Sequence, residues 1–403
     1  MHRKSYWKTI KMLFIVTILC FFVYLILDFN NFSGLFFTTI KTLMIVLILA
    51  FSLVMSGGFI CLLRDNRIEL GLIDTIGASL KGGPPKTILS TSGMRFLFGD
   101  TLRPGDTVEI RTLDEIKKTF DDDFSLDGLP FMPEMQEYCG MRFQVHRRVD
   151  KIYDMRNKTG MRRLQDAVTL TSVRCNGAQH DNCQAECHIL WKDAWLKKTS
   201  SCQTANRPIK KPLIPATTYD GEKESYVCQM TRLWEATEPM SPFDIRQDLR
   251  PLVSGNVSLG VYVIVLLTRL FNTVQKLRGG ICFPYMPPSS QTKPMSDNSE
   301  LCLVPGQSVM VKSRSEISET LKNSKTKGLW YDQDMIRYCG NSGTLYKKVD
   351  HIIHEGTGKM VDIKTPCWII KDIMATGEFQ RLNPQQEFTY WREAWLHPHV
   401  SKE

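Results

Sequence analysis

Residues 175–196 read CNGAQHDNCQAECHILWKDAWL, and residues 375–396 read ATGEFQRLNPQQEFTYWREAWL. Trp191, Ala194, Trp195 and Leu196 in the first stretch are answered by Trp391, Ala394, Trp395 and Leu396 in the second, always 200 residues apart. An aromatic frame repeated at a fixed offset is the mark of an internal duplication. The sulfur chemistry is not repeated. Cys175, His180, Cys183 and Cys187 stand opposite Ala375, Gln380, Asn383 and Glu387, so the frame belongs to the architecture and the cluster to the first copy alone.

The duplication extends further upstream, at an offset of 201 for the first elements. A turn at Pro104 and Gly105, a strand through Val108 and Ile110, and a Thr112–Glu115 capping box ahead of Ile116 recur as Pro305 and Gly306, Val309–Val311, and Ser313–Glu316 ahead of Ile317. Met135, Tyr138, Cys139 and Gly140 recur as Met335, Tyr338, Cys339 and Gly340. Phe143, Val145 and Val149 alternate as a half-buried strand does. Asn157–Gly160 then makes a turn, and Val168, Leu170 and Val173 return; Val349, Gly356–Gly358 and Trp368–Ile370 repeat these steps. Each copy therefore reads as a small SH3-like or barrel-like antiparallel β module of four or five strands with short helices, an α+β arrangement. Apolar positions 183, 187, 190, 191, 194 and 195 share one helical face, which predicts a helix over 183–195; Asn383, Pro384 and Gln386 supply its start in the second copy. Cys183 would then sit at a helix N-terminus, where a thiol ionises more easily.

Before the repeats come two apolar runs, Met12–Leu27 and Thr42–Leu63, each long enough to cross a bilayer. Arg3, Lys4, Lys8 and Lys11 precede the first run, and Arg64 and Arg67 follow the second. That distribution places both termini on the cytoplasmic side. The expected order is a two-helix membrane anchor over 1–70, a first β-rich repeat carrying the Cys/His cluster over 71–198, a linker over 199–225, and an amphipathic helix with the second repeat over 226–403. The helix, beginning at Leu259, either packs on the second copy or lies in a membrane surface. A net charge of +9 over 403 residues, without a run of five basic residues, fits the lipid bilayer as a partner as readily as a polynucleotide. No RNP-like, zinc-finger or helix-turn-helix pattern occurs, so no nucleic-acid partner is expected; a protein partner is.

Twelve cysteines in a reducing compartment point to metal or free thiols rather than disulfides. Cys175, His180, Cys183 and Cys187 offer three sulfurs and an imidazole, a set that suits a closed tetrahedral zinc site, with His188, Cys202 or Cys228 able to replace one ligand. Packed, unliganded cysteines are the competing reading, because cysteine buries as a small hydrophobe. Haem attachment through Cys183, Cys187 and His188 fails on spacing, with three residues between the cysteines. A thiol enzyme would use Cys139 or Cys183 as nucleophile and His180 or His146 as base. No phosphate loop, paired-carboxylate motif or serine elbow accompanies them.

The phrases Tyr138-Cys139-Gly140, Gly328-Leu329-Trp330-Tyr331 and Tyr390-Trp391-Arg392-Glu393-Ala394-Trp395-Leu396 resemble an uncharacterised group of bacterial tandem-repeat proteins associated with exopolysaccharide and natural-product gene neighbourhoods. The resemblance covers the two repeats and brings no activity or catalytic residue. It implies a place near envelope glycan synthesis and, with the apolar runs, in a bacterial inner membrane. The expected function is a membrane-anchored, cytoplasm-facing binding or assembly module with a zinc site; the alternative is a thiol- or metal-dependent enzyme at the membrane surface.

Overall fold

In the computed structural model of the chain, the described residues are 101–398 apart from 122–123, 155, 200–218, 223, 243, 245 and 288–300. All of them belong to one compact unit, Ser79–Glu403. The first module contains β1 (Thr107–Ile110), α1 (Leu113–Lys117), β2 (Ser125–Leu126), β3 (Leu129–Pro130), β4 (Arg142–Arg148), β5 (Lys151–Tyr153), β6 (Met161–Leu164), β7 (Ala167–Arg174), β8 (His188–Lys192) and β9 (Leu196–Lys198). Five of these strands form an antiparallel half-barrel sheet in the order β8-β7-β4-β1-β9. Val108 faces Phe143 on one side and Lys198 on the other. The inward residues Val108 and Ile110 are fully buried, and the Thr112 capping box starts α1.

Next along the chain come β10 (Tyr219–Asp220), β11 (Ser225–Tyr226), α2 (Gln229–Arg232), β12 (Thr237–Pro239), α3 (Arg246–Val253) and α4 (Leu259–Leu277). β12 extends the small sheet of β5 and β6, and the Gln229 side chain bonds both the N–H and the carbonyl of Leu190, so this segment closes the first module. α4 packs through Val261, Tyr262 and Val265 on Leu382 of the second module. Its opposite face turns Leu266, Leu270 and Leu277 outward.

The second module repeats the first as β13 (Ser308–Val311), α5 (Arg314–Thr320), β14 (Lys325–Thr326), β15 (Leu329–Trp330), β16 (Ser342–Lys348), β17 (His351–Ile353), β18 (Met360–Asp362), β19 (Cys367–Met374), β20 (Phe388–Arg392) and β21 (Leu396–Pro398). Its sheet order, β20-β19-β16-β13-β21, is the same. The tryptophans of the repeated frame build both cores. Phe131 meets Trp195 edge-on at 5.3 Å, Tyr331 meets Trp395 at 4.9 Å, and each indole N–H is satisfied, by Thr119 in one core and Thr320 in the other.

Two expectations are corrected. Residues 183–195 do not form a helix. His188–Lys192 is a strand, with Trp191 paired to Val168, and only Asp193–Trp195 makes a one-turn 3₁₀ segment. Ile189, Leu190 and Trp191 are all buried, so the strand reads as a continuous apolar run that periodicity cannot tell from a helix. Lys192 and Arg392 are buried as well; Lys192 bonds Asp127 and the Gln165 carbonyl, and Arg392 the carbonyls of Thr365 and Lys327.

The second correction concerns the membrane. An α+β fold with two transmembrane helices and an inner-membrane location is not what the structure gives: the described chain is mostly β, and no helix in it is long and apolar enough to cross a membrane. The runs Met12–Leu27 and Thr42–Leu63, and most of the expected linker, lie outside the described residues.

The two modules meet in a reciprocal way. Lys347 of the second pairs with Glu186 of the first at 2.8 Å, and Arg147 of the first bonds Gln386 of the second at 3.2 Å, the same two positions with the copies exchanged. His146 meets Gln386, and Tyr346 meets Glu186, in the same exchanged sense. Arg174 touches its own counterpart, Met374. Contacts that swap in this manner define a pseudo-two-fold, the geometry of a homodimer interface written within one chain.

Gly177 and Gly377 anchor the loops that reach across this interface. Both have φ of +71°, and a Cβ on either would come within 2.0 Å of the Cys183 carbonyl or 2.2 Å of the Asn383 carbonyl. Substituting Gly377→Ala is expected to destabilise the fold by roughly 3 kcal/mol, read as a lowered urea midpoint. A midpoint equal to wild type would show that the loop relaxes freely.

Candidate metal centre and inter-module cavity

Glu134, Cys175 and His180 converge in the first module, and their donor atoms all lie within 4.8 Å of one another. Glu134 comes from the 3₁₀ turn Pro133–Tyr138, Cys175 follows β7, and His180 stands in the loop to β8. That loop is closed by Cys175 N–H on the Cys187 carbonyl at 2.9 Å and by His180 N–H on the Gly177 carbonyl at 2.8 Å. Gly177, held left-handed, brings residue 180 back over residue 175.

Cys175 Sγ lies 3.2 Å from Glu134 Oε1 and 4.0 Å from His180 Nδ1, and His180 Nδ1 lies 3.5 Å from Glu134 Oε1. Metal–donor bonds of about 2.0–2.3 Å set tetrahedral edges of roughly 3.3–3.6 Å, which these separations bracket. Glu134 Oε2 is buried without a hydrogen-bond partner. Burial, reinforced by the nearby Glu134 carboxylate, pushes the Cys175 thiol well above its usual range, and burial lowers His180. The group is therefore a neutral imidazole and a thiol pressed against a carboxylate, able to hold a metal ion once the thiol gives up its proton.

Of the four residues expected to form the zinc site, the structure brings Cys175 and His180 together and leaves Cys183 and Cys187 out of the cluster. Cys183 Sγ accepts the Ile353 N–H of the second module at 3.3 Å. It stands in a loop, not at the helix N-terminus expected for it. Cys187 sits near Glu387 of the opposite module, and burial raises its pKa well above the thiol range. Of the alternative ligands, Cys202 lies outside the described residues, and Cys228, raised to about 11 by burial, is not in the cluster. Cys139, named as a nucleophile, is pushed up to about 12 by burial. Its proposed base His146 is lowered to about 4 by burial, and stacks on His188 instead.

Glu134 escaped the sequence reading. The signal was its counterpart: residue 334 is also acidic, and Asp334 accepts Thr376 N–H, Thr376 O–H and Gly377 N–H, each at 2.9 Å. The same carboxylate position thus organises the same loop in both copies.

Cys175 and His180 line a cavity of about 490 Å³ walled by both modules. Met132 and Met230 of the first module and Ile352, Phe388 and Tyr390 of the second line it. Glu387 also lines it; burial and the neighbouring Glu355 push this carboxyl up to about 8 against the pull of Arg174, which lies 3.6 Å away and stacks on Phe388. A comparison with protein-family models, curated proteins and solved structures finds no match to this chain.

A carboxyl that is harder to ionise in the folded state stabilises the fold fully at low pH, and this contribution is lost as pH rises through its folded pKa. For Glu387 the window runs from its ordinary 4.5 to about 8. Glu387→Gln is expected to flatten the decline in urea midpoint across that window. An unchanged slope in the variant would mean that Glu387 does not carry it.

Proposed function

We propose that this chain is a binding module that holds one zinc ion through Glu134, Cys175 and His180, on the wall of the cavity between its two β modules. The observation that carries the reading is the convergence of Glu134 Oε1, Cys175 Sγ and His180 Nδ1, beside a second carboxylate oxygen, Glu134 Oε2, that is buried without a partner. A carboxylate oxygen is costly to bury unsatisfied, and a cation held by Glu134 supplies what the protein does not. A thiolate, an imidazole and a carboxylate form a borderline-soft donor set that suits zinc better than magnesium or calcium, which take oxygen ligands.

The second copy supports the same reading by contrast. Where Asp334 is saturated by backbone and hydroxyl donors, positions 375 and 380 hold Ala and Gln, and no ligand set remains. Duplication freed one module to serve as frame while the other kept the donors. Binding zinc displaces the Cys175 proton, so affinity rises with pH.

The purified chain is expected to carry one zinc per molecule by elemental analysis. Cys175→Ser and Glu134→Gln each lower zinc affinity by about tenfold to a hundredfold or abolish binding, whereas Cys183→Ser and Cys187→Ser leave the stoichiometry at one. Loss of zinc in Cys183→Ser with retention in Glu134→Gln would overturn the assignment.

A further inference from the structure

We infer that the metal at Glu134, Cys175 and His180 keeps its fourth coordination position open to the inter-module cavity, where it takes an external Lewis base of imidazole or thiolate type whose apolar body lies between the modules. This rests on the zinc reading above and adds what the metal is for.

The direction follows from which donors face the cavity. Cys175 and His180 line it and Glu134 does not, so an ion held by all three has Glu134 at its back and the cavity in front. Protein donors for the fourth place are lacking among the described residues. Cys183 Sγ is already taken by the Ile353 N–H, while Cys187 and Cys228 line the cavity but stand outside the group of donors within 4.8 Å. Three protein ligands and a vacancy distinguish zinc that binds external molecules from zinc that only staples a fold, which has four.

The cavity also suits a ligand body. Its volume of about 490 Å³ lies within the range of small-molecule sites, and Met132, Ile352, Met230, Phe388 and Tyr390 give it apolar and aromatic walls. Because the walls come from both copies, a ligand coordinated in the first module would be gripped by the second.

Cobalt(II) titrated into the full chain reports the fourth ligand through its visible bands. Imidazole and 4-phenylimidazole are each expected to shift those bands, with 4-phenylimidazole binding about tenfold or more tightly because its ring is buried. Ala185 lines the cavity, and Ala185→Trp is expected to abolish that preference while the imidazole shift remains. Bands that neither base moves, or that change in Cys228→Ser, would mean a site closed by protein and overturn the inference while leaving the metal site standing. A chain that takes up no cobalt would remove the metal reading and this inference with it.

Discussion

A carboxylate at one fixed place, the first turn of a 3₁₀ segment, decides what each module does with the loop after its long central strand. In the second module Asp334 spends its acceptor capacity on Thr376 and Gly377, and the loop is a closed structural device. Glu134 is one methylene longer. It reaches Cys175 and His180 instead, and one of its oxygens is left unsatisfied. A single backbone frame thus has two electrostatic endings, one complete within the protein and one that could hold a cation.

The reciprocal interface then determines where that cation would sit. Loops 181–187 and 381–387 each reach into the opposite module, and the exchanged pairs Glu186 with Lys347 and Gln386 with Arg147 hold them in register. Neither loop can swing outward without breaking contacts with the other copy. Lys151 adds a fastening of its own: its buried ammonium bonds the carbonyls of Gln247 and Arg381, both at 2.6 Å. The space enclosed between the loops is therefore a consequence of the duplication, present in neither module alone.

Much of this was legible in the sequence, and the reasons for the failures are physical. The fixed spacing of Trp195 and Trp395 and the paired capping boxes at Thr112 and Ser313 gave the duplication and the strand-turn-helix order, because turns and caps are written locally. The 183–195 segment misled because a strand buried on both faces loses its alternation, and only pairing with β7 reveals it. Membrane-spanning helices were read from hydropathy alone, a signal that the described structure does not carry. Cys175 and His180 were found through local clustering, whereas Glu134 lies 41 residues from Cys175 and no spacing rule reaches it. Cys183 and Cys187 belong to the same local cluster, yet the fold turns Cys183 to the opposite module and packs Cys187 against the first module's core.

The divergence of the two copies also sets the polarity of the cavity. Position 187 is a cysteine and position 387 a glutamate, and the two face the same space from opposite modules. Burial holds the Cys187 thiol protonated, and the same effect pushes Glu387 up to about 8, so near neutral pH these two positions are uncharged, while Asp154, Arg156, Arg162 and Glu186 line other parts of the cavity. Ionised groups hold ordered water and resist an apolar molecule; a neutral patch of wall can release its water to an apolar guest. The position that lost its thiol in the second copy thus acquired an acid that low polarity keeps silent. The cavity remains hospitable to an apolar body beside the one place where Glu134, Cys175 and His180 concentrate the donors for a metal.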